Sequence, residues 1–318
     1  MSHFSTGPPF SSPALALNTP LTLAKHLSCA SDTSTLLSDG DITCVRDKPA
    51  VDVALVAYDL HILWDAVVDG DYILTDSIRN SVNGRVPTLW SATECDYCYF
   101  LPRTLSPTAP PSAYANILST HFTPAQIIKI LNATVLYPYD TAPADGTMSG
   151  AMRTLTQLLN DFFILCPSTY LVALTSNATN AGSAYHAVFT VGLGSPFTPN
   201  PSMCRGQVCQ ADDLYWVFGT AETDGLYQPL SAEQVAVTRD VMKRWTEMAW
   251  NGNRDCVGVE VVWNVYEGGN EAVVKVTGRI LPGYRAAQCE PIANELGFVF
   301  GDEGEQRQTL RFQTQREG

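Results

Sequence analysis

The stretch Arg85-Val-Pro-Thr-Leu-Trp-Ser-Ala92, followed at once by Thr93-Glu-Cys-Asp-Tyr97, indicates the fold class of this chain. Its first part is short, is rich in residues that favour strands and follows the turn signal Asn83-Gly84, so it predicts a buried β-strand that leads into a polar loop. Loops at the carboxyl ends of strands carry the functional side chains of α/β folds. The sequence therefore predicts an α/β protein with a site near this loop.

Other segments predict further strands and helices on both sides of that stretch. Tyr185–Val191, Val257–Val265 and Ala272–Thr277 have the composition of strands. Helical spacing and helix-start signals predict helices over 21–27, 33–46, 49–64, 113–118, 124–131, 148–165, 212–217 and 232–250. Residues 1–20 predict an irregular lead-in, and we expect 1–318 to form a single, partial domain.

Composition excludes several classes of function. The chain has 318 residues, of which 45 % are hydrophobic, so it can bury a large core. Its 32 acidic and 19 basic residues give a formal net charge of -13, which repels phosphate backbones and anionic membrane surfaces. Its longest apolar runs are far shorter than the roughly 20 residues of a membrane span. We therefore expect neither a nucleic-acid partner nor a membrane span.

Cysteines and sequons suggest a secretory history. The nine cysteines are an odd number, so at least one has no partner within the chain if the compartment is oxidising. Asn132 and Asn177 each begin an Asn-x-Thr sequon. The first twenty residues lack the basic start and apolar core of a secretory signal, and we therefore expect that the chain has lost its beginning. Cys95-x-x-Cys98 is a weak metal or redox signal without a second such pair, so no metal or cofactor is predicted.

Five segments, in this order, carry a resemblance to a known family: Trp64–Asp71, Val86–Ala92, Asp161–Pro167, Tyr185–Phe189 and Trp245–Asn253. They resemble the second half of type B carboxylesterases, which include cholinesterases and neuroligins. The resemblance covers residues 20 to 290. It implies an α/β-hydrolase fold, represented by the C-terminal portion of the central sheet and its surrounding helices.

The resemblance implies a place for the catalytic acid. In Cys95-Asp-Tyr-Cys-Tyr-Phe100 the residue that matches the family's carboxylate, four before an aromatic, is Asp96, and Glu94 is the neighbouring alternative. Tyr97 stands where many family members have glycine. A solvated or helix-capping aspartate is the alternative interpretation of Asp96.

The resemblance also implies the base position. Gln210-Ala-Asp-Asp-Leu-Tyr-Trp-Val-Phe-Gly219 matches the family's segment that begins with the catalytic histidine, so Gln210 stands at that position. A carboxamide has no proton that titrates near neutral pH and cannot act as general base. The five histidines are expected to be structural: His3, His26, His61, His121 and His186.

The nucleophile motif is missing from this sequence. Serine hydrolases of this fold place the serine in Gly-x-Ser-x-Gly, and the 318 residues contain no such motif. Gly146-Thr-Met-Ser-Gly150 has the wrong spacing, and we expect it to form a loop or a helix cap.

Disulfide pairings follow partly from the resemblance. It implies the pairs Cys29–Cys44 and Cys166–Cys289, and Cys204–Cys209 spans a loop short enough to close locally. Cys95, Cys98 and Cys256 are left over. Because acid and base loops are neighbours in the family, a disulfide between Cys95 and Cys209 is a further hypothesis.

We predict that this chain is a relative of carboxylic ester hydrolases and that it is inactive on its own. An ester-type small molecule would be its ligand if a chain carrying the N-terminal half complemented it. The alternative is a non-catalytic binding or adhesion module of the neuroligin-like type. Family resemblance, cysteines and sequons predict a secreted or extracellular protein, with no signal peptide visible.

Overall fold

The structure, a computed structural model, describes residues 13–60, 62, 67, 86–99, 101, 106–139, 148–177, 183–193, 204, 207–223, 225, 229–252, 272–274 and 283–296. The predicted strand Val257–Val265 and the family segment Trp64–Asp71, except for Val67, lie outside these residues. The chain divides into two compact units, one mainly of residues 6–81 and the other mainly of residues 82–298. The expectation of a single domain stays a prediction.

The described residues of the first unit form three helices: α1 (Pro13–His26), α2 (Asp39–Asp47) and α3 (Ala50–Asp59). Leu23, Leu27 and Ala57 form its small core, and a disulfide joins Cys29 to Cys44. The predicted boundaries were wrong at three places. The helix predicted over 49–64 ends at Asp59, and Leu60 is its C-cap. Helix α1 begins at Pro13, inside the predicted lead-in. Helix α2 starts only after Ser38, whose hydroxyl and backbone form a capping box with Asp41, so residues 33–38 are not helical.

The second unit is built around parallel strands. Its described strands are β1 (Thr88–Thr93), β2 (Ala184–Phe189) and β3 (Ala272–Val274), in the order β1-β2-β3 with both pairings parallel. The two predicted strands at 85–92 and 185–191 are thus confirmed with small changes of boundary. Parallel strands need crossover connections, and helices supply them.

The described helical segments of this unit follow in chain order. They are a 3₁₀ turn (Asp96–Tyr99), α4 (Pro111–His121), α5 (Pro124–Asn132), α6 (Gly150–Asn160), a π turn (Asp161–Leu165), α7 (Cys166–Asn177), α8 (Asp212–Phe218), α9 (Ala232–Asn251), α10 (Ala286–Pro291) and a second π turn (Ile292–Leu296). Helix α9 begins after Ser231, which forms a capping box with Gln234. Ser149 caps α6 through the N–H of Met152, as expected of the Gly146–Gly150 segment.

Helices cover both faces of the sheet. Side chains alternate along a strand, and every residue of β2 is buried. Val188 packs with Ile164 and Leu165 of the π turn on one face. Phe189 packs with Trp216 of α8 on the other, where α9 also contributes to the core. The second unit is therefore an α/β structure with three layers. Among the described residues, no helix is long and apolar enough to cross a membrane.

His186 lies at the centre of β2 and is only 1 % exposed. Neither ring nitrogen has a hydrogen-bond partner among the described residues. Burial therefore favours the neutral ring and lowers the pKa of His186 to about 3.

We expect this histidine to make the protein sensitive to acid. In the unfolded chain the ring titrates near pH 6.5, so between about pH 6.5 and 3 the unfolded state binds more protons. The free energy of unfolding should fall as pH drops through this window, by up to about 1.4 kcal/mol per pH unit. Urea unfolding at pH 8, 6 and 5 measures the slope, and His186→Leu should flatten it. An unchanged slope in the variant would show that His186 is already charged or accessible in the native state.

Candidate active site

The acid loop, residues 94–97, begins directly after β1 and is held by several hydrogen bonds. Asp96 is only 1 % exposed, and its Oδ2 accepts a hydrogen bond from the N–H of Thr93 at 3.0 Å. Asn160 donates from Nδ2 to the Thr93 carbonyl at 3.2 Å and accepts at Oδ1 from the N–H of Tyr97 at 3.1 Å. Asp96 thus lies at the carboxyl end of a parallel strand, but it also stabilises its own loop.

The base loop, residues 207–211, has a matching construction. Asp212 is fully buried, and its Oδ2 accepts from the N–H of Cys209 at 3.0 Å. Ala211 has a left-handed backbone with φ of 73° just before α8. Gly192 packs so closely on Asp212 that a Cβ there would lie 2.6 Å from the carboxylate oxygen, so only glycine fits without a shift. The buried carboxylate of Asp212 therefore fixes this loop, because it accepts a hydrogen bond from the N–H of Cys209, three residues earlier in the chain.

Gln210 is half-buried in this loop, and its amide oxygen is buried without a hydrogen-bond partner among the described residues. A nearby carboxylate, Asp213, accepts from the Ser91 hydroxyl at 3.4 Å, while burial raises its pKa. Gln210 can donate and accept hydrogen bonds, but it cannot exchange a proton at neutral pH.

The two loops are neighbours. Cys95 and Cys209 form an isolated parallel β-bridge, and the N–H of Cys95 donates to the Val208 carbonyl at 2.9 Å. Asp96 and Gln210 each follow one of these paired cysteines. The structure thus brings together the two loops that carry the predicted acid and base positions.

The disulfides of the acid and base loops differ from the hypothesis of a bond between Cys95 and Cys209. Disulfides join Cys95 to Cys98 and Cys204 to Cys209, so the proposed Cys95–Cys209 bond is wrong. The four buried cysteines still form one cluster, in which each disulfide closes its own loop. The structure also contains the disulfide Cys166–Cys289. Four disulfides use eight of the nine cysteines, and Cys256 lies outside the described residues.

Tyr97, at the position where many family members have glycine, anchors the acid loop. Its ring stacks on Phe163 of the π turn with centroids 4.7 Å apart, and burial raises the pKa of its hydroxyl to about 12. His121, at the end of α4, lies edge-on to Tyr97 at 5.7 Å, and burial lowers its pKa. This histidine therefore packs against the aromatic side of the loop.

A buried ion pair supports the acid loop from the π turn. The Arg285 guanidinium binds both carboxylate oxygens of Asp161, with Nε to Oδ1 at 3.1 Å, and Tyr137 donates its hydroxyl to Oδ2 at 2.8 Å. Burial raises the pKa of Asp161, while Arg285 and Tyr137 favour its charged form. Beside it, Tyr284 donates to Glu94 Oε1 at 2.7 Å.

A cavity of about 10 Å³, with room for one water molecule, lies among these groups. The sequence reasoning missed this network because Arg285 is 124 residues from Asp161. The only local signal was the family-like segment that begins at Asp161.

The two candidate acids differ in burial. Glu94, the alternative acid, is exposed and accepts a hydrogen bond from Tyr284, whereas Asp96 is buried.

The other histidines lie elsewhere. His26 is exposed on α1 and bonds to the Thr22 carbonyl, and His186 is buried in β2. His3 and His61 are outside the described residues. Within the described part of the chain, no group of three or more histidine, cysteine or acidic side chains is placed to hold a metal ion.

The parallel pairing of β1 with β2, and the bridge between the neighbouring loops at Cys95 and Cys209, define an α/β protein. The sequence model of the carboxylesterase family matches residues 4–290, so the chain belongs to the carboxylesterase family. That family implies an α/β-hydrolase fold. The chain is also 25 % identical over 199 residues to the "Crystal protein" of Dictyostelium discoideum, a match that covers 58 % of this chain and 34 % of that protein. The match thus spans about a third of the relative's length.

Proposed function

We propose that this chain carries the acid and base positions of a carboxylesterase site, Asp96 and Gln210, and that it does not hydrolyse esters as this chain. The observation that carries the proposal is the backbone β-bridge between Cys95 and Cys209. It supports the proposal because Asp96 and Gln210, the positions that we assign to the acid and the base, each directly follow one of the two bridged residues.

The chemistry supports inactivity. Ester hydrolysis by this family's mechanism needs a serine on an elbow, a base that takes its proton and a carboxylate that orients the base. A glutamine amide cannot take the proton. Ser149, which lies in the nearest approach to an elbow motif, caps α6 and donates its hydroxyl to the Ala109 carbonyl at 2.8 Å. This sequence therefore lacks two of the three parts, namely the elbow motif of the serine and a histidine at the base position.

A hydrolysis assay tests the proposal. The folded chain, with its disulfides verified by mass mapping, should hydrolyse p-nitrophenyl acetate no faster than matched Gln210→Ala and Asp96→Asn variants, without saturation. Saturable turnover that is lost in Asp96→Asn would overturn the proposal, because it would show a working acid and an unrecognised base.

The second candidate is a non-catalytic binding or adhesion module of the neuroligin-like kind. Large apolar side chains at the surface of α8 and α9 favour it, including Phe218 at 65 % and Trp250 at 82 % exposure. Such a module predicts a monodisperse protein in sedimentation velocity. A chain that needs a partner carrying the N-terminal half predicts concentration-dependent aggregation, because open strand edges are templates for pairing.

We place the protein in a secreted or extracellular compartment. Four disulfides support this location, because disulfides persist in oxidising compartments. An ester-type small molecule is the ligand we expect if the missing parts of the site are supplied by another chain.

A further inference from the structure

The sequon at Asn132 lies at the end of a helix. Helix α5 ends at this residue, and Ala133 leaves the helix with φ of -82° and ψ of 43°. The N–H groups of Leu136 and Tyr137 then donate to the Ala133 carbonyl at 3.0 and 2.9 Å, which closes a turn. Asn132 and Thr134 are both exposed. The acceptor amide and the hydroxyl of its sequon are therefore accessible in the folded unit.

Two exposed apolar side chains lie close to this acceptor in the sequence. Helix α5 buries Ile130 in the core, but Ile128 is 62 % exposed. Ile128 lies four residues before Asn132 and hence on the same face of the helix. Val135, in the turn after the sequon, is 94 % exposed. Two branched apolar side chains thus flank the acceptor on the solvent side.

We propose that Asn132 carries an N-linked glycan that covers Ile128 and Val135. The donor is an oligosaccharide linked to a lipid pyrophosphate. The Asn132 amide nitrogen forms a bond to the anomeric carbon, the anomeric carbon–oxygen bond breaks, and the lipid pyrophosphate leaves with the proton that the amide nitrogen loses. Both sides of the reaction balance without a redox partner.

The disulfides supply a second, independent argument. They indicate an oxidising compartment, which is where sequons in surface positions are modified. A bulky, solvated glycan at the end of α5 would remove apolar surface from water at a place where no described residue covers it. The second sequon begins at Asn177, the last residue of α7, and continues outside the described residues. This inference does not depend on the proposed function.

A variant that keeps the sequon at Asn132 and lacks the one at Asn177 tests whether Asn132 carries a glycan. We expect the 318-residue Asn177→Gln chain, expressed behind a secretion leader in mammalian cells, to lose one glycan's mass on treatment with peptide N-glycosidase. The shift should vanish in Thr134→Ala and persist in Thr134→Ser, which keeps the sequon. Peptide mapping should find Asn132 converted to aspartate. Lysate and medium are both assayed, so poor secretion does not hide the result. Absence of the shift in Asn177→Gln, or its persistence in Thr134→Ala, overturns the proposal.

A dye-binding measurement tests the covering role. Removing the glycan from the folded protein should increase the fluorescence of a hydrophobic dye. The same treatment of a variant carrying Ile128→Ser and Val135→Ser, which keeps Asn132, should produce no increase. Equal fluorescence of the parent before and after treatment would show that the glycan does not cover these side chains.

Discussion

Replacing Arg285 by methionine should lower the free energy of unfolding by about 3–5 kcal/mol. The Asp161 side chain is 3 % exposed and that of Arg285 is 18 % exposed, so the substitution leaves a carboxylate buried without its cation. Removing one partner of a buried pair is costly because the other charge keeps its desolvation penalty. Urea unfolding followed by tryptophan fluorescence measures the change.

A double variant separates charge burial from lost packing. Asp161→Asn together with Arg285→Met should be clearly more stable than Arg285→Met alone, because the amide is neutral and its oxygen can still accept from Tyr137. Arg239→Met on the exposed face of α9 is the matched control and should change stability by less than about 0.5 kcal/mol. A loss below about 1 kcal/mol for Arg285→Met would mean that water reaches Asp161 in the native state.

Removing the disulfide between Cys166 and Cys289 should have the second largest effect, a loss of about 2–5 kcal/mol. It links the start of α7 to α10 across a sequence separation of 123 residues, so its absence frees a long loop in the unfolded chain. Alanine at both positions avoids burying hydroxyls, and urea unfolding of the double variant gives the loss.

The disulfide between Cys204 and Cys209 is the matched control in the same unit. Its sequence separation is 5, so the loop-closure term is smaller by about 2–3 kcal/mol. The double alanine variant at these positions should therefore lose less stability than the variant at Cys166 and Cys289. Equal losses in the two variants would contradict the chain-entropy account.

Short sequence patterns predicted those helices and strands that are determined by neighbouring residues. Strand β2 and the start of α9 follow from a run of strand-forming residues and from the capping box at Ser231. The helix predicted over 148–165 was interrupted by a π turn that begins at Asp161, whose carboxylate binds the distant Arg285 and Tyr137. No window of neighbouring residues contains that information.

The site was predictable only in part, for the same reason. Family resemblance indicated Asp96 and Gln210 and the closeness of their loops, and the β-bridge at Cys95 agrees with that closeness. The expected pairs Cys29–Cys44, Cys166–Cys289 and Cys204–Cys209 agree with the structure. The partner of Cys95 could not be deduced, because three other cysteines lie in the same buried cluster. The Asn160 contacts and the burial of Asp212 depend on packing between elements far apart in sequence.

We propose that the residues of this chain supply neither the nucleophile nor the base of the site. Treating the Gln210→His variant with a fluorophosphonate probe, followed by peptide mapping, tests it most directly. We predict that neither the variant nor the parent chain is labelled, because a restored histidine has no elbow serine to activate. Labelling of a single serine in Gln210→His would contradict this proposal and would identify a nucleophile within this chain.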